Sequence, residues 1–311
     1  MRTEERRRLR AGAMCILMVL SALAFRLAGD IWKRVPERIS EKAAASGACL
    51  EKVQGPLFPT MEYIPPEPKK GPAFSPGDGE RVPLINWSGA EVDCGELISR
   101  PLEFPVSGEP QILIVHTHAT EAYRDMENYR SRDGEHSVVH VGEVLTEELN
   151  ARGISTLHDS TFIDCMEGWD DPYVPAEDLI KEYLARYPSI QMVIDLHRDG
   201  AVDEEGNQIP LLCEINGEPA AQLLLVMGTD QAGLYHPHWE ENLSFALKLQ
   251  TLGSRDCPGL FRSLCLRASR FNQHLTPHSI LLEVGAAGNS MEEAERSVRF
   301  FAGELAKLLG K

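Results

Sequence analysis

The chain is short of basic residues. Its 31 lysines and arginines stand against 47 aspartates and glutamates, a net charge of −16. Affinity for nucleic acid comes largely from neutralising phosphates with Lys and Arg, so this balance excludes DNA or RNA as the expected partner. Cys-x-x-Cys is absent as well. The seven cysteines, Cys15, Cys49, Cys94, Cys165, Cys213, Cys257 and Cys265, are scattered, which argues against a thiolate zinc knuckle or a thioredoxin-type site. They read as small buried hydrophobes. The six beyond Cys15 are able to pair in an oxidising compartment, with no pairing indicated. No internal repeat is present. With 311 residues, 43% hydrophobic and 25% charged, the chain suits one large domain, or one domain plus a tail and an anchor.

The N-terminus carries the clearest topological signal. Residues 1–10 (MRTEERRRLR) hold five arginines, and residues 11–25 (AGAMCILMVLSALAF) carry no charge. A spanning helix needs roughly 17–25 apolar residues, a length reached here if Arg26 snorkels to the interface. A signal peptide is the rival expectation, with Ala22-Leu23-Ala24 as its cleavage site. Either way the positive-inside rule keeps the arginines in the cytoplasm and sends the rest outward. The expected organisation is a basic tail with a transmembrane anchor or signal over 1–35, a Pro-rich connector over 36–108 and a catalytic domain over 109–311. That gives a single-pass membrane protein with its catalytic part outside the cytoplasm. The connector is marked by PPEPKKGPAFSPGDGE, with a short ordered piece expected around 82–98.

From residue 109 strands and helices alternate. QILIVHTH, GISTLHD, SIQMVIDLHRD, AAQLLLVMGTD and HSILLEVG read as strands. Residues 137–152, 175–187, 238–252, 259–268 and 290–309 read as helices, the first stopped by Gly153. This order predicts an α/β fold, with a mostly parallel central sheet covered by helices on both faces.

In such sheets ligands sit outside the carboxyl ends of the strands. Three apolar strands end in metal-capable residues: His116 and His118, Asp195 and His197, and Glu283. Imidazole and carboxylate suit Zn²⁺, which acidifies a bound water whose proton a nearby carboxylate can take. His116 and His118 are read as alternatives, with at most one of them a ligand and the other a packing or supporting group. A carboxylate inside ILLEVG is costly without a partner or a metal. Glu121, three residues after His118, is a candidate third ligand and equally a helix cap. Asp195 shares a face with His197 and is placed to orient an imidazole, or to serve as a buried structural Asp. Arg198, Asp199, Arg270, Asn272 and Gln273 are candidate substrate contacts, Arg270 through a bidentate pair with a carboxylate. His236 and His238 resemble a metal pair, but a Pro-containing loop favours a non-ligand role. His136, His140, His158, His274 and His278 read as structural.

HTHATEAY, VVHVGEVL, HDST, YPSIQMVIDLHRD, VMGTDQAGLYHPHWEENLSFALKLQ and SRFNQHLTPHSILLEVGAAGN occur in an order that resembles the stage II sporulation protein P family, over roughly residues 109–308. The resemblance implies an N-acetylmuramoyl-L-alanine amidase-like fold. It also implies a zinc hydrolase that cuts the amide between muramic acid and the stem peptide, and peptide cross-links too. The implied setting is septal wall degradation and engulfment during sporulation, with stage II sporulation proteins D and M as partners. It implies His118, His197 and Glu121 at the metal, with His116 as alternate to His118, and Glu283 as the catalytic glutamate. After HDST the chain departs from the family pattern with FIDCMEGWDDPY, which leaves the contacts of that loop open. A zinc carboxypeptidase, a peptidoglycan deacetylase and an inactive wall-binding scaffold are the alternatives.

Overall fold

The computed structural model describes residues 71–311. Its centre is a seven-stranded sheet in the order β1-β8-β7-β9-β4-β2-β3. The strands are β1 (Leu84–Asn86), β2 (Ile112–Val115), β3 (Thr156–His158), β4 (Met192–Asp199), β7 (Leu223–Gly228), β8 (Leu264–Arg267) and β9 (Ile280–Ala286). Every neighbouring pair is parallel except β7 with β9. Strands β5 (Leu212–Ile215) and β6 (Glu218–Ala221) form a separate antiparallel hairpin. The principal helices are α2 (Cys94–Ser99), α3 (Val138–Ala151), α4 (Tyr173–Arg186), α5 (Trp239–Asp256) and α6 (Met291–Leu308), after a short α1 (Pro76–Glu80). The mostly parallel α/β architecture agrees with the alternation in the sequence.

Period-two alternation divides the sheet into two unlike faces. On one face Ile112 and Ile114 of β2, Ile194 and Leu196 of β4, and Leu282 and Val284 of β9 join a large core with residues of α2, α3, α5 and α6. On the other, Leu113, Val115 and Val193 pack under Ile180 of α4. Further across that face Val226, Cys265 and Leu281 cluster with Leu224 and Phe271, none of them helical. Helices thus cover one face fully and the other only beside β2 and β4, where both faces were expected to be covered. Asp195, His197 and Glu283 share parity with Val193 and Leu281, so they belong to the thinly covered face.

Two local signals set the flanking helices. Ser290 and Glu293 form a capping box that opens α6. In α3 the glycine of VVHVGEVL sits where a Cβ would come within 2.5 Å of His116 Nε2 and 2.8 Å of His158 Nε2. Gly142 therefore lets α3 approach the strand ends closely, although glycine costs a helix interior roughly 0.5–1 kcal/mol.

Two expectations are corrected. Residues 259–268 hold strand β8, not a helix. Asp256 ends α5, Cys257-Pro258-Gly259 breaks the chain, and Leu264, Cys265 and Leu266 are buried between β1 and β7. A short run buried on both sides has no period to separate strand from helix. The ordered piece expected around 82–98 supplies β1, an edge strand of the sheet, so the sheet draws on a stretch rich in prolines. The single-pass membrane localisation is overturned to this extent: among the described residues no helix is long and apolar enough to cross a membrane. Residues 1–35, where the tail and anchor were expected, lie outside the described residues, as do Cys15 and Cys49. The five cysteines among the described residues are free thiols.

Candidate metal centre

The site forms where β2 and β4 end. After β2 the chain turns, with Glu121 N donating to His118 O at 3.0 Å. This turn, not a helix, folds the Glu121 carboxylate back beside the imidazole and explains the close spacing of the two residues. Asp164, from the divergent loop after HDST, braces the turn by accepting from the Thr120 N–H and hydroxyl. His197 reaches the same point from β4. Its Nδ1 lies 3.4 Å from Glu121 Oε2, and His118 Nδ1 lies 3.8 Å from Glu121 Oε1. Among the described residues, His118, Glu121 and His197 are the one group of three such side chains close enough to share an ion.

The geometry suits a divalent cation. Two ligands at about 2.1 Å from a tetrahedral zinc lie about 3.4 Å apart, close to the separations found. Asp195 Oδ1 stands 2.9 Å from His197 Nε2, short of hydrogen-bond alignment, behind the ring and away from Glu121. A carboxylate in that position fixes the ring of a metal-binding histidine. Asp195 is itself held by the Thr117 N–H at 2.9 Å and hydroxyl at 2.7 Å. Burial opposes charge on His197, but Asp195 and then Glu121 outweigh it and hold its pKa well above the usual histidine value. The pocket therefore attracts positive charge even when only a proton is available. His118 is the most open of the three, and burial, aided by the charge of His197, pushes its pKa down.

Glu283 completes the arrangement. It pairs in register with His197 on the neighbouring parallel strand, so the two side chains leave the same face about 4.8 Å apart at the backbone. Its Oε2 is buried without a partner. Burial first, and then the charge of Glu121, raise its carboxyl to about 8 against the pull of His197. A cavity of about 570 Å³ opens over these residues, with His118, Glu121, His197 and Glu283 at one end.

Other candidates separate clearly. His116 is fully buried on the helix-covered face. Its Nδ1 sits 2.9 Å from Leu196 O, and its Nε2 sits 2.8 Å from His158 Nε2. Burial, then the neighbouring His158, pushes it down to about 3, so it is a neutral packing group and not an alternate ligand. Of the five expected substrate contacts, Asp199 alone lines the cavity. Arg198 is buried, donating to the Ala122 and Tyr129 carbonyls while its N–H donates to Glu121. Arg270 pairs with Glu177 at 2.9 Å. Asn272 donates to Tyr173 O and pins the loop to the start of α4, and Gln273 bridges Val226 O and Gly228 N and pins it to β7. His236 is buried with neither ring nitrogen paired and joins no ion-holding group.

Sequence reasoning missed the aromatic wall and the far end of the cavity. Tyr173 packs edge-on against His118 at 5.9 Å, and Phe271 packs against Tyr173 at 5.9 Å. Phe271 and Asn272 both have positive φ, 50° and 56°, a conformation bulky residues adopt only when the surroundings enforce it. Ile85, Trp87, Arg262 and Arg267 line the cavity beyond Glu283. Reading LCLR as a strand is the signal that would have placed Arg267 there.

The model of the family Stage II sporulation protein P (SpoIIP) matches residues 98–306. The Stage II sporulation protein P of Bacillus subtilis (strain 168) is 26% identical over 201 residues, 60% of this chain and 48% of that protein. The chain thus spans about half the length of the curated relative it matches. Among solved structures, the N-acetylmuramoyl-L-alanine amidase AmiC2 of Nostoc punctiforme aligns with a TM-score of 0.39 and 10% identity, over 67% of this chain and 100% of that one. The N-acetylmuramyl-L-alanine amidase Ami1 from Mycobacterium smegmatis aligns with a TM-score of 0.38 and 12% identity, over 66% of this chain and 98% of that one. The family match runs from the end of α2 to the last turns of α6 and takes in His118, Glu121, His197 and Glu283. On that match the chain belongs to the stage II sporulation protein P family.

Proposed function

We propose that the chain is a zinc-dependent peptidoglycan hydrolase that cleaves the amide between N-acetylmuramic acid and L-alanine. In this proposal it acts in septal wall degradation and engulfment during sporulation, with stage II sporulation proteins D and M as partners. The observation that carries the chemistry is the convergence of two imidazoles and a carboxylate beside an unpaired carboxylate, Glu283, at the head of an open cavity.

His118, Glu121 and His197 would hold the zinc, with Asp195 fixing the His197 ring. When bound there, the ion supplies charge that polarises an amide carbonyl and acidifies a water. Glu283 takes the proton of the attacking water and returns it to the leaving amine nitrogen. In the metal-free chain burial raises this carboxyl to about 8. Positive charge beside it acts in the opposite sense and brings a proton-accepting carboxylate into the neutral range. Tyr173, with its phenol held protonated by burial, walls the cavity beside His118 and helps keep bulk water out.

The test is digestion of purified sacculi by the full chain loaded with zinc. Peptides released with a free alanine amino terminus identify the amidase. Loss of terminal residues points to a carboxypeptidase, and loss of acetate points to a deacetylase. Glu283→Gln is expected to retain zinc and to lose activity about 10²- to 10⁴-fold. If wild type and Glu283→Ala both bind wall and digest it equally little, the protein is a scaffold and the hydrolase proposal is wrong.

A further inference from the structure

We propose that the thinly covered face of the sheet, running from Glu283 to Arg267, is a groove for an extended peptide that ends in a free carboxylate. The inference rests on the proposed hydrolase function, because it assigns the peptide side of the scissile amide to this face.

Sheet register places the groove. Leu224 of β7 is opposite Glu283, and Val226 is opposite Leu281. Val226 is opposite Cys265 of β8, Gly228 is opposite Arg267, and Cys265 is opposite Ile85 of β1. The side chains on this face therefore form rows that lead away from the metal centre across β9, β7, β8 and β1, within one continuous cavity. Arg267 lies two strands across and four residues along from Glu283, roughly 16 Å by strand spacing and rise. That length fits four or five extended residues at about 3.3–3.6 Å each.

The lining selects the occupant. Between the two ends the strand side chains Leu224, Val226, Leu281 and Cys265 give a floor that is aliphatic or thiol, with Phe271 packed beside it. Such a surface suits short alkyl side chains. The far end is cationic. The Arg267 guanidinium lies 4.0 Å over the Trp87 ring, which is 59% exposed. Among the described residues Arg267 has no ion-pair partner, whereas Arg262 nearby is engaged by Asp199 at 2.5 Å. An arginine flattened on an indole keeps its donor edge free for a carboxylate. In a chain of net charge −16, an unpaired cation at the end of an apolar groove is a specific anchor for a peptide carboxylate. Trp87 and Ile85 precede the family-matched range of 98–306, so this end of the groove is built partly by residues outside it.

The experiment uses the full chain and two probes, an alanine-containing tetrapeptide with a free C-terminal carboxylate and the same peptide as its C-terminal amide. Binding is followed by calorimetry and by Trp fluorescence. The corresponding muramoyl-tetrapeptides are followed by KM and kcat. The free acid is expected to bind more tightly than the amide by about ten- to hundredfold. Arg267→Gln should abolish that preference by raising Kd and KM for the acid alone, with kcat unchanged. Arg267→Lys should restore part of it, and Trp87→Leu should weaken it. Equal binding of acid and amide by the wild type overturns the groove, as does an Arg267→Gln chain with unaltered KM. So does a disaccharide without peptide that competes for the Trp87 signal. If the acid binds through Arg267 but no muramoyl-peptide is cut, the groove stands and the hydrolase proposal falls. If cutting persists with no acid preference, the reverse holds.

Discussion

At the scale of single residues the site is a matter of pairing. Asp195 and Glu121 flank His197 at ion-pair distance, whereas Glu283 Oε2 is buried beside them with no partner. A carboxyl raised to about 8 in the folded chain, against about 4.3 when unfolded, binds its proton more tightly in the native state. Its contribution to stability is full below the unfolded value and is lost as pH rises through the folded one. The metal-free protein is therefore expected to lose stability between about pH 4.5 and pH 8, and Glu283→Gln is expected to lose less over that span. Thermal melts of both proteins in chelator across the range measure this. A parallel decline in the two would show that Glu283 is ionised and paired. Which histidine of HTH faces the candidate metal site is likewise a residue-scale question. The pair are two residues apart and share strand parity, so the identity needed the neighbours: His116 meets α3 and His158, while His118 leaves the strand at the turn and meets Glu121 and His197.

At the scale of elements, α3 shows how packing sets a site at a distance. Its glycine faces the His116–His158 pair, and that pair backs the end of β2 from which the 118–121 turn departs. Gly142→Ala would place a methyl within 2.5 Å of His116 Nε2. The gain in helix propensity, about 1 kcal/mol, is expected to be outweighed by overpacking of about 1–3 kcal/mol. Urea titration should give a lower midpoint with an unchanged m-value. A midpoint that rises would mean that the ring pair relaxes freely. The helices other than 259–268 were legible because each carries a sustained period or a breaker, such as Gly153 after α3. The failure at β8 has a simple cause: three consecutive buried residues followed by Arg267 are too short a run to carry a period.

At the scale of the whole molecule a metal at this site would link segments far apart in the chain, since His118 and Glu121 follow β2 and His197 belongs to β4, strands that are neighbours only in the sheet. Anything that binds only the folded form stabilises it by mass action, about 2.7 kcal/mol at a hundredfold excess over Kd. For a domain of this size that corresponds to a rise in Tm of roughly 5–10 °C. Zinc is expected to raise the Tm of wild type by that order, chelator to reverse it, and Glu121→Ala to remove most of the effect. An equal rise in Glu121→Ala would take the carboxylate out of the ligand set. By itself the sequence determined the α/β class and the strand ends that carry imidazole and carboxylate, because alternation and apolar runs are local properties of the chain. It did not determine which face of the sheet stays uncovered, or that β1 and β8 extend that face beyond Glu283. Those depend on strand order and on where helices pack, which are set by contacts between distant residues. For the same reason Arg198, Arg270, Asn272 and Gln273 read as substrate contacts in the sequence and are braces in the fold, while Trp87 and Arg267 gain a role only from the register that places them in the cavity.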